Sequence, residues 1–402
     1  MVSTARLCLM CKGSRKLCGW RVCPLYQRQK ILPEISKKLG MDYFGPSTSV
    51  FVGHNFYPDV YVGPLAPLET DNVAVIDSPQ KWFGLPYGEI IRMRSMVLRS
   101  KQRENVHSRS GFVEKSQELV LASKPTDVEL GFKKKPVISF EYSDMTQPMG
   151  PSATLSRFRI TENPKIPRKI DRVVSDDLKA EESAFSLYKN GVELDRITNI
   201  LSSGILGIGE NRKLVPTRWS ITATDSMIAG RLMEKVREYS QVNEYMVFES
   251  EYLDNHFVIL VMPGPWEFEN FEAWAPGSTW SAGLKKTEVL EEYEPFGGRS
   301  AYAYNQAGGY YAARVSVVES LSEMRKQASV VSFREVSQGY TIPLGVWVVR
   351  STARQAFRNP PVKFQTREEA LKYVSSRLRI PISDYLKQSR ILGRKSIRDF
   401  VK

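Results

Sequence analysis

Apolar residues follow a strand-like pattern in some segments of the chain and a helical spacing in others. Residues 51–67, FVGHNFYPDVYVGPLAP, are short apolar and aromatic pieces cut by glycine and proline, which predicts short strands and turns. Two strand-like runs, YMVFESEYL and HFVILVM, flank Asp254 and Asn255, a pair that favours a hairpin. Further strands are predicted at 137–143, near 330–336 and near 344–350.

Helical spacing recurs in five other segments. The first follows Pro79, and the basic run that begins at Arg92 is expected on the outer face of that helix. The others are predicted from Asp176 to Gly204 with a break at Gly191, from Asp225 as a helix cap, over about 315–327, and from Thr366 to Leu378. Because helices and strands mix without regular alternation, the pattern predicts an α+β fold in two packed domains.

The composition, 42% hydrophobic and 25% charged, is that of a globular protein. No stretch reaches the roughly 18 uninterrupted apolar residues of a membrane helix, and the N-terminus lacks the apolar region of a signal peptide. The sequence therefore predicts a cytoplasmic protein without membrane contact. It also lacks the GxxxxGK[ST] loop, which argues against ATP hydrolysis by a P-loop.

The net charge of +13 lies entirely at the two ends of the sequence, because residues 46–376 carry equal numbers of basic and acidic side chains. Basic ends favour a polyanion such as DNA, or an acidic protein surface, as partner. The alternative is that they only aid solubility. Local basic runs in the middle of the chain, such as the one from Arg92 to Arg109, are interpreted as solvated faces.

All four cysteines lie within sixteen residues, at Cys8, Cys11, Cys18 and Cys23. Four thiolates at this spacing favour a structural zinc ion, with an iron–sulfur cluster as the alternative occupant. Disulfides are disfavoured in a chain without a secretion signal. The module also carries basic residues that a metal-stapled loop would present to DNA or to the body of the protein, namely Lys12, Arg15, Lys16 and Arg21.

The string CLMCKGSRKLCGWRVCP resembles the opening of the Nre family of archaeal DNA-repair proteins. Further matching stretches follow in order: residues 51–67, VPTRWSITATDS (215–226), GGYYAARVSVVESL (308–321) and IPLGVWVVRSTARQAF (342–357). The resemblance implies a zinc module over 1–45, a family N-terminal domain over 46–290, a family C-terminal domain over 291–385 and a basic tail over 386–402. It also implies a role in repair of DNA damage.

Members of this family carry a motif at the extreme C-terminus that binds the sliding clamp PCNA. The resemblance places Arg394, Ile397, Phe400 and Val401 at its four positions. Ile397 and Phe400 fit the motif, whereas Arg394 replaces a glutamine and Val401 an aromatic residue. The alternative is a basic tail whose phenylalanine covers the body of the protein.

A polar site for catalysis is a further hypothesis, with His54, Arg218, Asp225 and Glu251 as its residues. Each has a structural alternative, such as a helix cap for Asp225 or the polar face of a strand for Glu251. The sequence thus predicts a nucleoid-associated repair factor that binds DNA and the clamp. An enzyme that acts on nucleotides or nucleic acid (a nuclease or nucleotide hydrolase) and a non-catalytic adaptor for other repair proteins stay open.

Overall fold

The computed structural model describes residues 24–69, 71–138, 149–276, 278 and 287–394. The four cysteines, the basic residues between them and Ile397, Phe400 and Val401 lie outside these ranges. The chain divides into two compact units between Ile228 and Ala229. Each unit contains one six-stranded sheet with helices, so the predicted mixture of helices and strands is confirmed.

In its described residues the first unit has six strands and seven helices of its own, and an eighth helix crosses the boundary. Its strands are β1 (Asp42–Ser47), β2 (Ser49–Val52), β3 (Asp59–Pro67), β4 (Val97–Asn105), β5 (Thr126–Phe132) and β6 (Ser152–Ile160). Its helices are α1 (Pro24–Lys38), α2 (Val73–Ile76), α3 (Tyr87–Ser95), α4 (Gly111–Leu121), α5 (Arg168–Val174), α6 (Ala180–Lys189), α7 (Leu194–Ser202) and α8 (Thr217–Val236), which contains the boundary; Pro79–Lys81 and Gly209–Asn211 are 3₁₀ turns.

The sheet of the first unit is curled. Its strand order is β1-β5-β6-β4-β3-β2, so β1 and β2 lie at opposite edges although only Thr48 separates them along the chain. Strands are about 4.8 Å apart, so a flat sheet would hold these edges roughly 24 Å apart, far beyond the reach of one residue. The edges therefore approach each other, and Tyr43 in β1 donates from its hydroxyl to the carbonyl oxygen of Pro67 in β3 at 3.1 Å.

The interior of the curled sheet is apolar. Alternate side chains on its strands are fully buried, among them Val60, Val62, Leu98, Val128 and Leu130. The residues between them face outward, as the two-residue period of a strand requires. The outward positions can therefore carry polar and charged side chains.

The second unit is a sheet covered by helices on both faces. Its strands are β7 (Tyr245–Tyr252), β8 (Asn255–Met262), β9 (Glu267–Trp274), β10 (Glu288–Glu294), β11 (Ser329–Val336) and β12 (Val362–Phe364), in the order β10-β9-β11-β8-β7-β12. Its further helices are α9 (Gly308–Met324), α10 (Trp347–Arg358), α11 (Arg367–Arg377) and α12 (Ile382–Leu386). Every residue of β8 and β11 is buried, which is typical of central strands packed on both sides.

Several local predictions are confirmed and others are wrong. The hairpin at Asp254 and Asn255 joins β7 to β8, and β11 occupies the strand predicted near 330–336. The segment near 344–350 was predicted as a strand but contains the start of α10. One face of this helix is buried between Trp347 and Ala356, and this burial decides the conformation of the segment. Asp225 is not a helix cap, since α8 begins at Thr217, directly after Pro216.

Domain boundaries at 45, 290 and 385 stay a prediction. Residue 290 lies inside β10, which pairs with β9 along its full length.

None of the described helices is long and apolar enough to cross a membrane. Within the same described ranges, no cluster of three or more His, Cys, Asp or Glu side chains is suited to a metal ion.

Gly63 in β3 provides a test of the close approach between β3 and β4. A Cβ added at Gly63 would clash with the backbone carbonyl of Ser100, whereas one added at Gly88 in α3 would meet nothing within 4 Å. We expect Gly63→Ala to lower the free energy of unfolding by about 1–3 kcal/mol, because a strand must shift. Gly88→Ala is expected to be neutral or stabilising by up to ~1 kcal/mol. Urea unfolding measures the free energy of unfolding of both variants. Equal values for the two variants would contradict the close approach of β3 and β4.

Candidate nucleic-acid interface

The loop between β2 and β3 presents two aromatic side chains to solvent. Phe56 is 65% exposed and Tyr57 is 42% exposed. Phe56 has a φ of 67°, in the left-handed region that bulky residues rarely adopt. The loop is closed by a backbone hydrogen bond from Asp59 to Phe56 at 2.9 Å and by one from Gly53 to Tyr61 at 2.7 Å. The backbone therefore holds these rings in place without burying them.

The start of α8 lies against this loop. The backbone N–H of Val52 donates to the hydroxyl of Thr217 at 3.0 Å. The ring of Tyr57 lies 5.1 Å from that of Trp219, which is 46% exposed. Two exposed rings thus come together from segments more than 150 residues apart in the sequence, and exposed Phe56 is the chain neighbour of one of them.

Strand β4 adds a row of cations beside these rings. Arg99, Lys101 and Arg103 alternate along the strand and therefore share its outward face. Each lies over an aromatic ring of the neighbouring segment, within the distance of a cation–π contact. The pairs are Arg99 with Phe51 at 5.8 Å, Lys101 with Tyr61 at 5.9 Å, and Arg103 with Phe56 at 5.6 Å. We name this set, together with Tyr57 and Trp219, the aromatic–basic face.

The aromatic–basic face also contains an ion pair. Asp59 lies 3.7 Å from Arg103, and both side chains are about half exposed, so this pair is weak. On the other half of the sheet the charges are balanced, because Arg157 lies 2.8 Å from Glu129 and 3.5 Å from Asp42. The three cations of β4 lie on the half of the sheet formed by β2, β3 and β4, where each packs over an aromatic ring.

Two of the four residues proposed for catalysis lie on segments that meet at this face. His54 is exposed in the loop after β2, and Arg218 is exposed beside Trp219. Asp225 is fully buried two turns further along α8. Glu251 belongs to the second unit, where its carboxylate lies 2.6 Å from Arg379. A catalytic role for these residues stays a prediction.

Sequence reasoning missed Phe56, Tyr57 and Trp219 as a group. It also placed the basic run that begins at Arg92 on a helix. In the structure α3 ends at Ser95, and the strand β4 carries Arg99, Lys101 and Arg103. The alternation Arg-x-Lys-x-Arg has the period of a strand and was the signal available for this row. The pairing of Tyr57 with Trp219 has no local signal.

In the second unit, carboxylates of the sheet bind the C-terminal segment. Each basic residue in the described part of residues 377–402 pairs with an acid: Arg377 with Glu249 (2.7 Å), Arg379 with Glu251 (2.6 Å), Lys387 with Asp384 (2.8 Å), Arg390 with Glu291 (3.6 Å) and Arg394 with Glu267 (2.7 Å). Arg394 also donates to the hydroxyl of Tyr293 at 3.0 Å. The predicted clamp motif therefore starts from a residue that is fixed to β9 and β10.

His256 lies buried between two of the carboxylates in this unit. Its Nε2 is 2.9 Å from Glu249, and its Nδ1 is 3.6 Å from Glu335. Glu335 also accepts hydrogen bonds from the backbone N–H groups of Arg379 and Ile380 and from the hydroxyl of Tyr385. Burial alone would lower the pKa of His256, but the carboxylates of Glu335 and Glu249 outweigh it and raise the pKa above its ordinary value.

Comparison with known proteins places the chain in a sequence family. Family models described as "Archaeal Nre, N-terminal" and "Archaeal Nre, C-terminal" match residues 17–281 and 294–400. The chain is 39% identical over 377 residues to DNA repair protein NreA of Archaeoglobus fulgidus, covering 92% of this chain and 93% of that protein. It is 36% identical to DNA repair protein NreB of the same organism, covering 96% and 97%.

A third relative is DNA repair protein NreA of Haloferax volcanii. The chain is 34% identical to it over 361 residues, which covers 86% of this chain and 85% of that protein. No solved structure matches the chain.

The pKa of His256 predicts a pH-dependent difference in stability. Because the folded pKa lies above the unfolded value of about 6.5, the protonated imidazole stabilises the folded state at lower pH, and this contribution is lost as the pH rises through the folded pKa. We expect the stability difference between the wild type and His256→Gln to be largest below pH ~6.5 and to shrink above it. Urea unfolding at several pH values measures it.

The control is His107→Gln, which replaces an exposed histidine. That variant is expected to follow the wild type at every pH. A difference for His256→Gln that stays constant across the series would contradict the raised pKa.

Proposed function

The chain belongs to the archaeal Nre family, and we propose that it is a DNA-repair factor that binds DNA through the aromatic–basic face and the sliding clamp through its C-terminal tail. The names of its relatives, which are DNA repair proteins, support the repair role. The observation that carries DNA binding is the row of Arg99, Lys101 and Arg103, each held over an aromatic ring.

This row suits a phosphate backbone. Residues two apart on a strand are about 6.6 Å apart, so three cations line up along one direction. The rings beneath them limit the conformations of the long side chains, which reduces the entropy lost when a phosphate binds. Binding would release counterions from the DNA and would therefore weaken as salt rises.

The C-terminal segment is a weaker candidate for DNA contact than its charge predicts. Its basic residues from Arg377 to Arg394 already pair with carboxylates of the same unit. A different role suits the tail, because the anchored Arg394 would give the clamp motif a defined starting point. Ile397 and Phe400, three residues apart, would then supply the apolar contact with the clamp.

We also propose structural zinc in the N-terminal module, with Cys8, Cys11, Cys18 and Cys23 as ligands, and a second DNA contact through Lys12, Arg15, Lys16 and Arg21. This proposal rests on the cysteine spacing alone, and an iron–sulfur cluster is its alternative. Metal analysis of the purified chain distinguishes the two occupants.

Processing of nucleotides or nucleic acid is the second candidate function. The exposure of His54 and Arg218 beside the aromatic–basic face favours it. Asp225 is fully buried and would act only by positioning α8. Loss of DNA cleavage or of nucleotide hydrolysis in His54→Ala, with DNA binding retained, would support this function; absence of both activities in the wild type would remove it.

DNA binding by the full chain can be tested through its salt dependence. Arg103→Ala is expected to weaken binding and to reduce the slope of log affinity against log salt by about one, the contribution of one phosphate contact. The control is Arg159→Ala, an arginine on the balanced half of the sheet whose side chain is 70% exposed. Equal effects of both variants would contradict DNA binding at the aromatic–basic face. A wild type that binds no DNA would contradict the proposed function.

Clamp binding is tested separately with the last residues of the chain. Phe400→Ala is expected to lower affinity for the sliding clamp at least about tenfold, because a buried aromatic anchor carries much of such an interface. Lys402→Ala, at the end of the same tail, is expected to leave it unchanged. Calorimetric titration measures both, and an unaltered clamp affinity after removal of the tail would contradict the proposal.

A further inference from the structure

We propose that the aromatic–basic face binds single-stranded DNA in preference to duplex DNA, by stacking bases on Phe56, Tyr57 and Trp219. This inference rests on the proposed DNA binding and adds the kind of strand that the face selects. Its starting point is that three aromatic rings from two distant segments are exposed at one place.

The exposure of these rings is unfavourable for the isolated protein. Burying an aromatic side chain stabilises a fold, yet Phe56 is 65% exposed and has a backbone φ of 67°. A non-glycine residue held in this region points to a functional constraint. Contiguous exposed apolar groups rimmed by polar ones mark binding surfaces.

The neighbouring cations indicate which occupant this surface suits. Arg103 lies over the ring of Phe56, so a base stacked on that ring would place its own phosphate near the guanidinium. Lys101 and Arg99 continue the row along β4. Rings that stack bases, combined with cations that follow the backbone, are the features of surfaces that bind a single strand.

Duplex DNA fits the same surface less well. Its bases are already stacked within the helix and expose only their edges in the grooves. Arg99 and Lys101 are half-buried and pack over Phe51 and Tyr61, which limits how far they can reach into a groove. Against a duplex, the three exposed rings would meet phosphates and water, which gives no stacking energy.

The experiment compares labelled oligonucleotides of about 16 nucleotides, single-stranded or annealed, in binding to the full chain at one salt concentration. Phe56→Ala and Trp219→Ala are expected to weaken single-strand binding roughly 5- to 150-fold, the loss from removing one stacking ring. Both are expected to leave the weaker duplex binding nearly unchanged. Trp219→Phe keeps an aromatic ring and should retain most of the affinity.

The matched control is Phe44→Ala, which removes a phenylalanine that is 71% exposed on β1 but lies outside the aromatic–basic face. Circular dichroism confirms that each variant is folded. Duplex binding equal to or tighter than single-strand binding would overturn the inference and leave the proposed function standing. A wild type that binds neither form would overturn the proposed function itself. Equal losses in Phe44→Ala and Phe56→Ala, or tighter binding of an RNA strand of the same sequence, would also overturn the inference.

Discussion

The single-residue link at Thr48 is the constraint on which the first unit depends. It joins two strands that lie at opposite edges of one sheet, and the sheet must curl for the link to exist. Thr48 donates from its backbone to Leu65, and its hydroxyl donates to the buried carboxyl group of Asp77, which also accepts from Ser49. Burial raises the pKa of Asp77, while the two hydroxyl groups oppose this shift. The link is therefore anchored at both the backbone and the side chains.

The curl of the sheet also determines which side of each strand carries its charged side chains. The interior side of each strand is filled mainly by apolar residues such as Leu98 and Leu130, so charged side chains occupy the outward side. In β4 this separates buried Leu98 and Ser100 from the outward row of Arg99, Lys101 and Arg103. A shift of one residue in the pairing with β3 would bury this row, so the apolar core fixes the register that aligns the cations with the rings.

The sequence predicted those features that are encoded locally. The hairpin at Asp254 and Asn255 follows from residues that favour a tight turn, and the helix from Thr366 follows from a capping box that the structure contains. The segment near 344–350 was predicted wrongly because its β-branched residues favour a strand, whereas burial against the second unit's sheet makes it a helix. The contact of Tyr57 with Trp219 depends on tertiary structure alone, so no spacing in the sequence could predict it.

The distribution of charge along the sequence was a poor guide to the charge available for binding. The excess of basic residues near the C-terminus suggests a segment that contacts a polyanion, yet from Arg377 to Arg394 each described cation has a carboxylate partner. The middle of the chain is neutral in sum, yet the fold brings three of its cations onto one strand, each over an aromatic ring. A phosphate at the C-terminal segment would meet cations that are already paired with carboxylates, whereas one at β4 would meet cations that each lie over an aromatic ring. Binding therefore depends on where the fold places each charge and on what packs against it, and net charge by segment does not report this.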